Sequence, residues 1–332
     1  MRRAAITVVA LLIAYVAAVV VLDRRNHIFE HFGALAAVLP MLAAFSLAAY
    51  ALRYARWHWL LVRRGQSVPI ARGFLGYIAG FAFTASPGKL GELLRVRYFA
   101  RAGVPPDLTV SCFLFERMMD LAVLLLLATL LMTSAPGLLL GLAFVAVVFA
   151  VVLALAIARR PVAWLVAWFR RRGWRDASRL VQTGSRAFTR TLGFFNVREL
   201  AGSLALGIAA WGLQAIGFAL LLAQLGIVVP AGAALGIQPA ATLIGAASLL
   251  PGGIGSTEAA TVLLLRQFEA PLNLAILVAI GMRLATLWFA TVIGFAAVGV
   301  LELRAFRRTR AAPTQSAAAR TRTSLRPPPS PA

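Results

Sequence analysis

The residues best placed to do chemistry lie in two glycine-rich stretches that interrupt apolar sequence. The first, S-P-G-K-L-G-E at 86–92, contains Lys89, the single lysine among 33 Lys+Arg residues. A helix broken at Pro-Gly has unpaired backbone N–H groups at its new N-terminus, and such groups bind anions. Lysine adds a compact charge without arginine's bidentate grip, so the stretch predicts a site where a phosphate is bound and released. The alternative is a lysine whose stem lies on apolar surface while its charge reaches water.

The second stretch repeats the pattern of the first. Both match P-G-x-[LI]-G, at residues 87–91 and 251–255, which we call the first and second P-G segments. A glutamate follows each, and an arginine lies 30 residues (117 − 87) and 32 residues (283 − 251) past the respective proline. This shared spacing predicts an internal repeat. The alternative is that Pro-Gly recurs by chance in apolar sequence.

Charged residues between the segments predict a second functional feature. Glu116 and Asp120 lie four residues apart, on one helical face, and Arg117 is within reach of Asp120. Ionisable groups inside apolar spans are costly, so they usually pair with each other or line a wet cavity. Two roles stay open for them. They form a pathway for a polar group or a proton, or an ion-pair cluster in which Arg283 or Lys89 joins the two repeats.

The elements that must position these residues are apolar helices. The 332 residues are 61% hydrophobic and 13% charged, with a mean hydropathy of +0.85, which is outside the range of soluble globular domains. Runs long enough to cross a hydrocarbon core about 30 Å thick lie at about 4–22, 33–52, 108–132, 136–158, 200–223 and 274–301. They are apolar on every face. We therefore predict an all-α polytopic integral membrane protein with about six full transmembrane helices.

The distribution of the net charge of +22 predicts orientation and does not indicate nucleic-acid binding. The arginine-rich stretches are 53–72, 95–101, 159–198 and the residues after 304, whereas 133–137 and 224–232 carry no charge. This asymmetry is typical of membrane proteins whose positive loops face the cytoplasm. It predicts cytoplasmic N- and C-termini in a bacterial-type inner membrane.

Two apolar stretches, 73–86 and 231–250, stop at the P-G segments. Both flanks of the first stretch are rich in arginine, and an uncharged loop precedes the second, so we predict re-entrant hairpins that enter from opposite faces. Half-repeats at about 33–132 and 200–301 would then form an inverted-topology repeat, which is typical of transporters with a site near the bilayer midplane. The two segments are expected to lie near each other, with the helices broken there.

The remaining regions are expected to be accessory. Residues 1–304 form one membrane domain, within which the basic loop 159–198 is predicted to lie as an amphipathic helix on the membrane surface. Residues 305–332 have the composition of a disordered basic tail. Arg53 and Arg56, beside two tryptophans, are expected to be interfacial anchors and only secondarily a site.

The order S-P-G-K-L-G-E, E-R-M-M-D, L-P-G-G-I-G-S-T-E and M-R-x-x-T resembles the transmembrane domain of lysylphosphatidylglycerol synthase and related flippase-like membrane proteins. The resemblance covers most of 1–304. In the two-domain synthases this part resembles a flippase that moves the lipid made by a cytosolic aminoacyl-transferase domain. No such domain is recognised here, so the resemblance implies lipid handling without lipid synthesis. It implies an anionic phospholipid, or a hopanoid or polyprenyl-linked lipid, as partner.

These observations predict a lipid flippase or transporter that binds an anionic or phosphate-bearing headgroup near the midplane. The candidate binding residues come from both P-G segments and the charged positions after them: Pro87, Gly88, Lys89, Gly91, Glu92, Glu116, Arg117, Asp120, Pro251, Gly252, Gly253, Glu258 and Arg283. One alternative is a scaffold that recruits a lipid-synthesis enzyme. Another is a lipid-modifying enzyme with Glu92, Glu116 and Asp120 as acid–base groups. The sequence carries no catalytic or nucleotide-binding motif, and we expect no cofactor and no metal.

Overall fold

The computed structural model describes residues 6–7, 10–17, 20–21, 32–131, 147, 168, 171–172 and 186–324, with the backbone alone for 87–90 and 308–324. Its long helices, in chain order, are α1 (Phe32–Val62), α2 (Ile70–Ala79), α3 (Arg95–Ala100), α4 (Pro106–Ala128), α5 (Val197–Gln224), α6 (Ala231–Ala247), α7 (Ser256–Arg266), α8 (Leu272–Arg283) and α9 (Phe289–Ser324). Short 3₁₀ turns span Gly80–Phe83, Pro87–Leu94, Thr129–Leu131 and Pro251–Gly253, and a π turn spans Leu284–Trp288. The described residues contain no strand, which confirms the all-α class for this part of the chain.

Three stretches of the described chain are long and apolar enough to cross a membrane: α1, α5 and Leu272–Arg307. They contain the predicted runs 33–52, 200–223 and 274–301. The predicted run 108–132 is helical through most of its length, as α4, although it carries charged residues. Run 136–158, apart from residue 147, and part of run 4–22 lie outside the described residues. The number of six crossings therefore stays a prediction.

Two elements extend beyond their predicted ends. α1 continues to Val62, ten residues past the apolar run that ends at 52, because carboxylates of α4 lie opposite Arg56 and compensate its charge. α9 continues to Ser324, through most of the tail predicted to be disordered. Alanine and arginine are strong helix formers, and a helix already formed extends into them at little cost. Most of loop 159–198 lies outside the described residues.

Two hydrophobic cores share α1. The C-terminal half of α1 packs with α2, α3, α4 and α9 around Trp57, Tyr77 and Phe115. Its N-terminal half packs with α5, α6, α7 and α8 around Leu35 and Phe218. Each core includes the helices beside one P-G segment, so α1 joins the two halves of the molecule.

Each P-G segment interrupts helical structure, and the two segments contact each other. α2 ends in a 3₁₀ turn before the first segment, and α6 and α7 pack together on either side of the second. The backbone N–H of Gly252 donates to the Ser86 carbonyl at 3.4 Å. The predicted breaks and their proximity are confirmed. The re-entrant path through a membrane stays a prediction.

Candidate functional site

The first P-G segment is held by close backbone packing. The N–H of Gly91 donates to Ser86 Oγ at 2.7 Å and closes the turn. A Cβ at Gly91 would lie 2.1 Å from the carbonyl oxygen of Phe83, which no side chain tolerates. This glycine therefore permits contact between backbones. Pro87, Gly88 and Lys89 lie in the same 3₁₀ turn, and the side chains of Pro87 and Lys89 are outside the described part of the structure.

The second P-G segment has a more open backbone with positive φ. Gly252 has φ +62° and Gly255 has φ +85°, values that glycine adopts without strain. Glu258 Oε2 accepts from the N–H of Gly255 at 2.9 Å and caps α7. Its other oxygen accepts from Nε of Arg283 at 2.8 Å, and Nη2 of Arg283 donates to the Gly252 carbonyl at 2.8 Å. Arg283 of α8 therefore joins the second P-G segment to α7.

The corresponding region of the first half contains a buried ion cluster around Glu116. Nη2 of Arg56 lies 3.4 Å from Glu116 Oε1, and Nη1 of Arg95 lies 2.8 Å from Oε2. The hydroxyl of Tyr77 also donates to Oε1. Nη2 of Arg95 also pairs with Glu92 Oε2 at 2.5 Å. The side chains of Arg56, Glu92, Arg95 and Glu116 are each 1% exposed, so this cluster fixes α1 to α4 and to the turn before α3.

Arg117 lies beside this cluster and is shared among three carboxylates. Its Nη2 is 3.2 Å from Asp120 Oδ2, 3.6 Å from Glu116 Oε2 and 3.7 Å from Glu92 Oε2. Its side chain is 21% exposed, in contrast to its partners. The Glu92–Arg117 and Glu258–Arg283 pairs place the same two residue types together after each P-G segment. This correspondence agrees with the predicted repeat.

Arg53 and Arg56 of α1 are buried, although they were expected at the membrane interface. An interfacial anchor would face headgroups and water, but Arg56 is fully buried and Arg53 is 4% exposed. Arg56 Nη2 pairs with Asp120 Oδ1 at 2.6 Å. The guanidinium of Arg53 lies over the ring of Trp211, 4.1 Å from its centroid. Charged groups on α4 and an aromatic ring on α5 replace the water that an interfacial position would have supplied.

A cavity of about 330 Å³ lies between the two halves of the molecule. Residues from both P-G regions line it, and so do residues of α1, α4, α5, α6, α7, α8, the π turn and α9. Its principal polar side chains are Arg53, Glu92, Arg117, Asp120, Gln238 and Arg283. We call it the central cavity.

The structure divides the predicted site residues into three groups. Those that line the central cavity are Glu92, Arg117, Asp120, Gly252, Gly253 and Arg283. Gly91, Glu116 and Pro251 do not line it, and Glu258 lines a smaller neighbouring cavity of about 30 Å³ that also includes Arg283. Glu116 therefore lies in the ion cluster and not on the cavity wall. Among the described contacts, Glu116 and Asp120 do not pair with Arg283, which was one of the two links that the ion-pair alternative offered. The other link, through Lys89, stays a prediction.

The charged side chains on the cavity wall leave a positive excess. Among the described lining residues, Arg53, Arg117 and Arg283 face two carboxylates, Glu92 and Asp120. Such an environment attracts an anion and repels a cation. No group of three or more His, Cys, Asp or Glu in the described chain could hold a metal ion, because arginines occupy the carboxylates that lie together.

Sequence analysis missed three residues that organise the site. Arg95 was assigned to a cytoplasmic arginine cluster, yet it is 1% exposed and stacks over Tyr77, 4.0 Å from the ring centroid. Its position three residues after Glu92 was the available signal, since that spacing favours an ion pair on a helix. Tyr77 and Trp211 gave no signal, because single aromatic residues in apolar helices are ordinary core residues.

The comparisons with known proteins agree with the architecture. A family model described as "Lysylphosphatidylglycerol synthase TM region" matches residues 3–294. Among proteins with curated functions, none matches this chain. The family match covers both P-G segments, the ion cluster and the start of α9, up to residue 294. The chain therefore belongs to the lysylphosphatidylglycerol synthase transmembrane-region family and is a multi-pass membrane protein.

Proposed function

We propose that this protein moves a lipid with an anionic, phosphate-bearing headgroup across the bilayer, with the headgroup passing through the central cavity. The observation that carries the proposal is the cavity itself. It is lined from both P-G regions, and its arginines outnumber its carboxylates. A volume of about 330 Å³ accepts a headgroup, since small-molecule pockets typically measure about 300–1,000 Å³.

The proposed topology follows from the repeat. Six crossings and two re-entrant hairpins, one from each face, would place both P-G segments at the midplane and both termini in the cytoplasm of the inner membrane. Transporters built from inverted repeats bind their substrates where such broken helices meet. The hydrogen bond from Gly252 to the Ser86 carbonyl supports this arrangement, because it joins the two breaks directly.

Arg117 and Arg283 differ in the way they could engage a moving anion. Arg117 lies at distances of 3.2–3.7 Å from three carboxylates, so it can turn toward a phosphate while Glu92 and Asp120 stay compensated by Arg95 and Arg56. Arg283 would have to release Glu258 or the Gly252 carbonyl. We propose that the headgroup competes for these contacts as it passes, with Lys89 adding a charge at the first segment.

No chemical step is part of this proposal. The lipid leaves the protein unchanged, and no cofactor is required. The carboxylates that an enzyme would use as acid–base groups are held in ion pairs with arginine, which favours transport over catalysis. Mass spectrometry of the lipids after incubation with the protein should find no modified species. A new lipid product would replace the proposal with an enzymatic function.

The direct test is lipid flipping in proteoliposomes that contain fluorescent phosphatidylglycerol. Wild-type protein should move the probe faster than empty liposomes, and Arg283→Gln and Lys89→Ala should both slow it. Arg72→Gln is a suitable control, because Arg72 is exposed, bonds only to the Arg101 carbonyl among the described contacts and lies outside the cavity. Variants of matched thermal stability must be compared. Wild-type rates equal to those of empty liposomes would favour the scaffold function.

A further inference from the structure

Arg53 is the one arginine on the described cavity wall that forms no ion pair within 4.0 Å. Arg53 is 4% exposed, and no described carboxylate lies within 4.0 Å of its guanidinium. Among the described atoms, its Nε and Nη2 have no hydrogen-bond partner. A buried donor without a partner costs free energy, so a structure that retains two on one side chain points to a bound group.

The two nitrogens of Arg53 also have the right geometry for a phosphate. Nε and Nη2 form one edge of the planar guanidinium, and that edge binds two oxygens of a phosphate or carboxylate in parallel. The face of the same group stacks on Trp211, 4.1 Å from the ring centroid, which fixes its plane. Arg53 is thereby held in position before an anion arrives.

Gln238 contributes an unpartnered acceptor to the wall of the central cavity. Gln238 of α6 is 8% exposed, and its Oε1 has no hydrogen-bond partner among the described atoms. An acceptor of this kind requires an O–H or N–H donor from the ligand. An ammonium group would supply one, but it would also meet the excess of arginine on the cavity wall. A hydroxyl supplies the donor without that repulsion.

We infer that the central cavity selects a phosphodiester lipid whose headgroup carries hydroxyl groups, with the phosphate held by Arg53 on Trp211 and a hydroxyl donated to Gln238. This inference rests on the proposed function for its choice of a lipid. It adds the class of headgroup and the two residues that recognise it, Arg53 and Gln238. An ethanolamine or choline headgroup lacks the hydroxyl and carries the disfavoured cation.

The test is native mass spectrometry of the full chain in detergent, titrated with dihexanoyl phosphatidylglycerol, phosphatidic acid and phosphatidylethanolamine. Wild-type protein should bind the phosphatidylglycerol at least about tenfold more tightly than the phosphatidylethanolamine. Arg53→Gln should weaken binding of both acidic lipids about ten- to hundredfold, as expected for the loss of charge-assisted hydrogen bonds. Gln238→Ala should weaken phosphatidylglycerol about three- to tenfold and leave phosphatidic acid unchanged, because only the former has headgroup hydroxyls beyond its phosphate.

Several results would overturn the inference. Wild-type affinity of Arg53→Gln for phosphatidylglycerol would remove the phosphate site, and equal losses for both acidic lipids in Gln238→Ala would remove the hydroxyl contact. If Arg53→Gln does not fold, Arg53→Lys keeps the charge and loses the two-nitrogen edge. It should bind phosphatidylglycerol about tenfold more weakly, and unchanged binding would exclude the geometry. Arg72→Gln should match wild-type binding throughout.

Two further measurements, a competition with inorganic phosphate and a flipping assay, distinguish this inference from the proposed transport function. Inorganic phosphate at the lipid concentration should not displace phosphatidylglycerol, and displacement would assign the cavity to a soluble phosphate. Flipping of fluorescent phosphatidylglycerol that is unaffected by Arg53→Gln would leave the proposed function and remove the inference. Binding that depends on Arg53, without any flipping by wild-type protein, would remove transport and leave the headgroup site.

Discussion

The two P-G segments have the same sequence pattern but different electrostatic surroundings. After the first, Arg117 is shared among three carboxylates, and a buried cluster of further ion pairs lies behind it. After the second, Arg283 has one carboxylate and one backbone carbonyl. The shared sequence pattern therefore fixes the positions of Arg117 and Arg283 relative to the helix breaks. The neighbouring helices decide how strongly it is held.

Exposure separates the two halves further. The side chains of the first cluster are 1% exposed, whereas those of Arg283 and Glu258 are 11% and 15% exposed. Charges that are fully buried cannot exchange partners without large cost. We therefore expect the buried cluster of the first half to act as a fixed frame. Arg117, which is 21% exposed, and the Glu258–Arg283 pair should rearrange when a ligand passes. The following variants test this difference.

The largest effect is expected for Glu116→Gln. It leaves two buried guanidinium groups, Arg56 and Arg95, short of a partner, and breaking a buried pair from one side costs about 3–5 kcal/mol. Unfolding of the purified protein in detergent, followed by circular dichroism, measures the loss. Glu302→Gln is the control, because Glu302 pairs with arginines at a position 35% exposed and should lose about 0–1 kcal/mol. Equal losses would contradict the fixed frame.

A smaller loss of stability is expected for Glu258→Gln in the second half. The substitution weakens the hydrogen bond from Arg283, and both residues line the small cavity. The expected loss is about 1.5–3 kcal/mol, because that is the typical contribution of a charge-assisted hydrogen bond. The same unfolding measurement applies. If this variant is destabilised as strongly as Glu116→Gln, the second half is as rigid as the first and the comparison fails.

The final glycines of the two segments should also differ. Gly91→Ala forces a Cβ against the Phe83 carbonyl, and overpacking of this kind costs about 1–3 kcal/mol. Gly255→Ala meets no atom within 4 Å, so it should cost only the strain of its backbone at φ +85° and ψ −50°, about 1–2 kcal/mol. Thermal unfolding of both variants side by side provides the measurement. A larger loss at Gly255 would reverse the assignment of tight and open segments.

The smallest effect is expected at the serines that precede the segments. Ser86→Ala removes the acceptor for the Gly91 N–H in a half-buried turn and should cost about 0.5–1.5 kcal/mol. Ser248→Ala, at an exposed position, should cost less, because water can replace the contacts of its hydroxyl with the Gly245 carbonyl, Ser256 Oγ and the Leu250 N–H. Hydrogen exchange at the Gly91 amide gives a local readout. No increase in its exchange rate in Ser86→Ala would show that the turn does not depend on this cap.

Much of the fold could be predicted because its causes are local. Long apolar runs predicted α1, α5 and the α8–α9 region, since a chain in hydrocarbon must satisfy its backbone hydrogen bonds within each helix. Pro-Gly predicted both helix breaks, because proline lacks an N–H and glycine permits positive φ. Helix ends were predicted less well. α1 extends past Arg53 because its charges find partners that sequence does not reveal.

The candidate site divides in the same way. The sequence by itself determined which charged residues enter the membrane region and how they are spaced after each P-G segment. Only the tertiary structure decided that Glu116 pairs with Arg56 and Arg95, while Arg53 faces the cavity on Trp211. Local spacing fixes contacts along one helix. Whether a buried charge meets a carboxylate, a ring or an empty space depends on the helix packed opposite, which is distant in sequence.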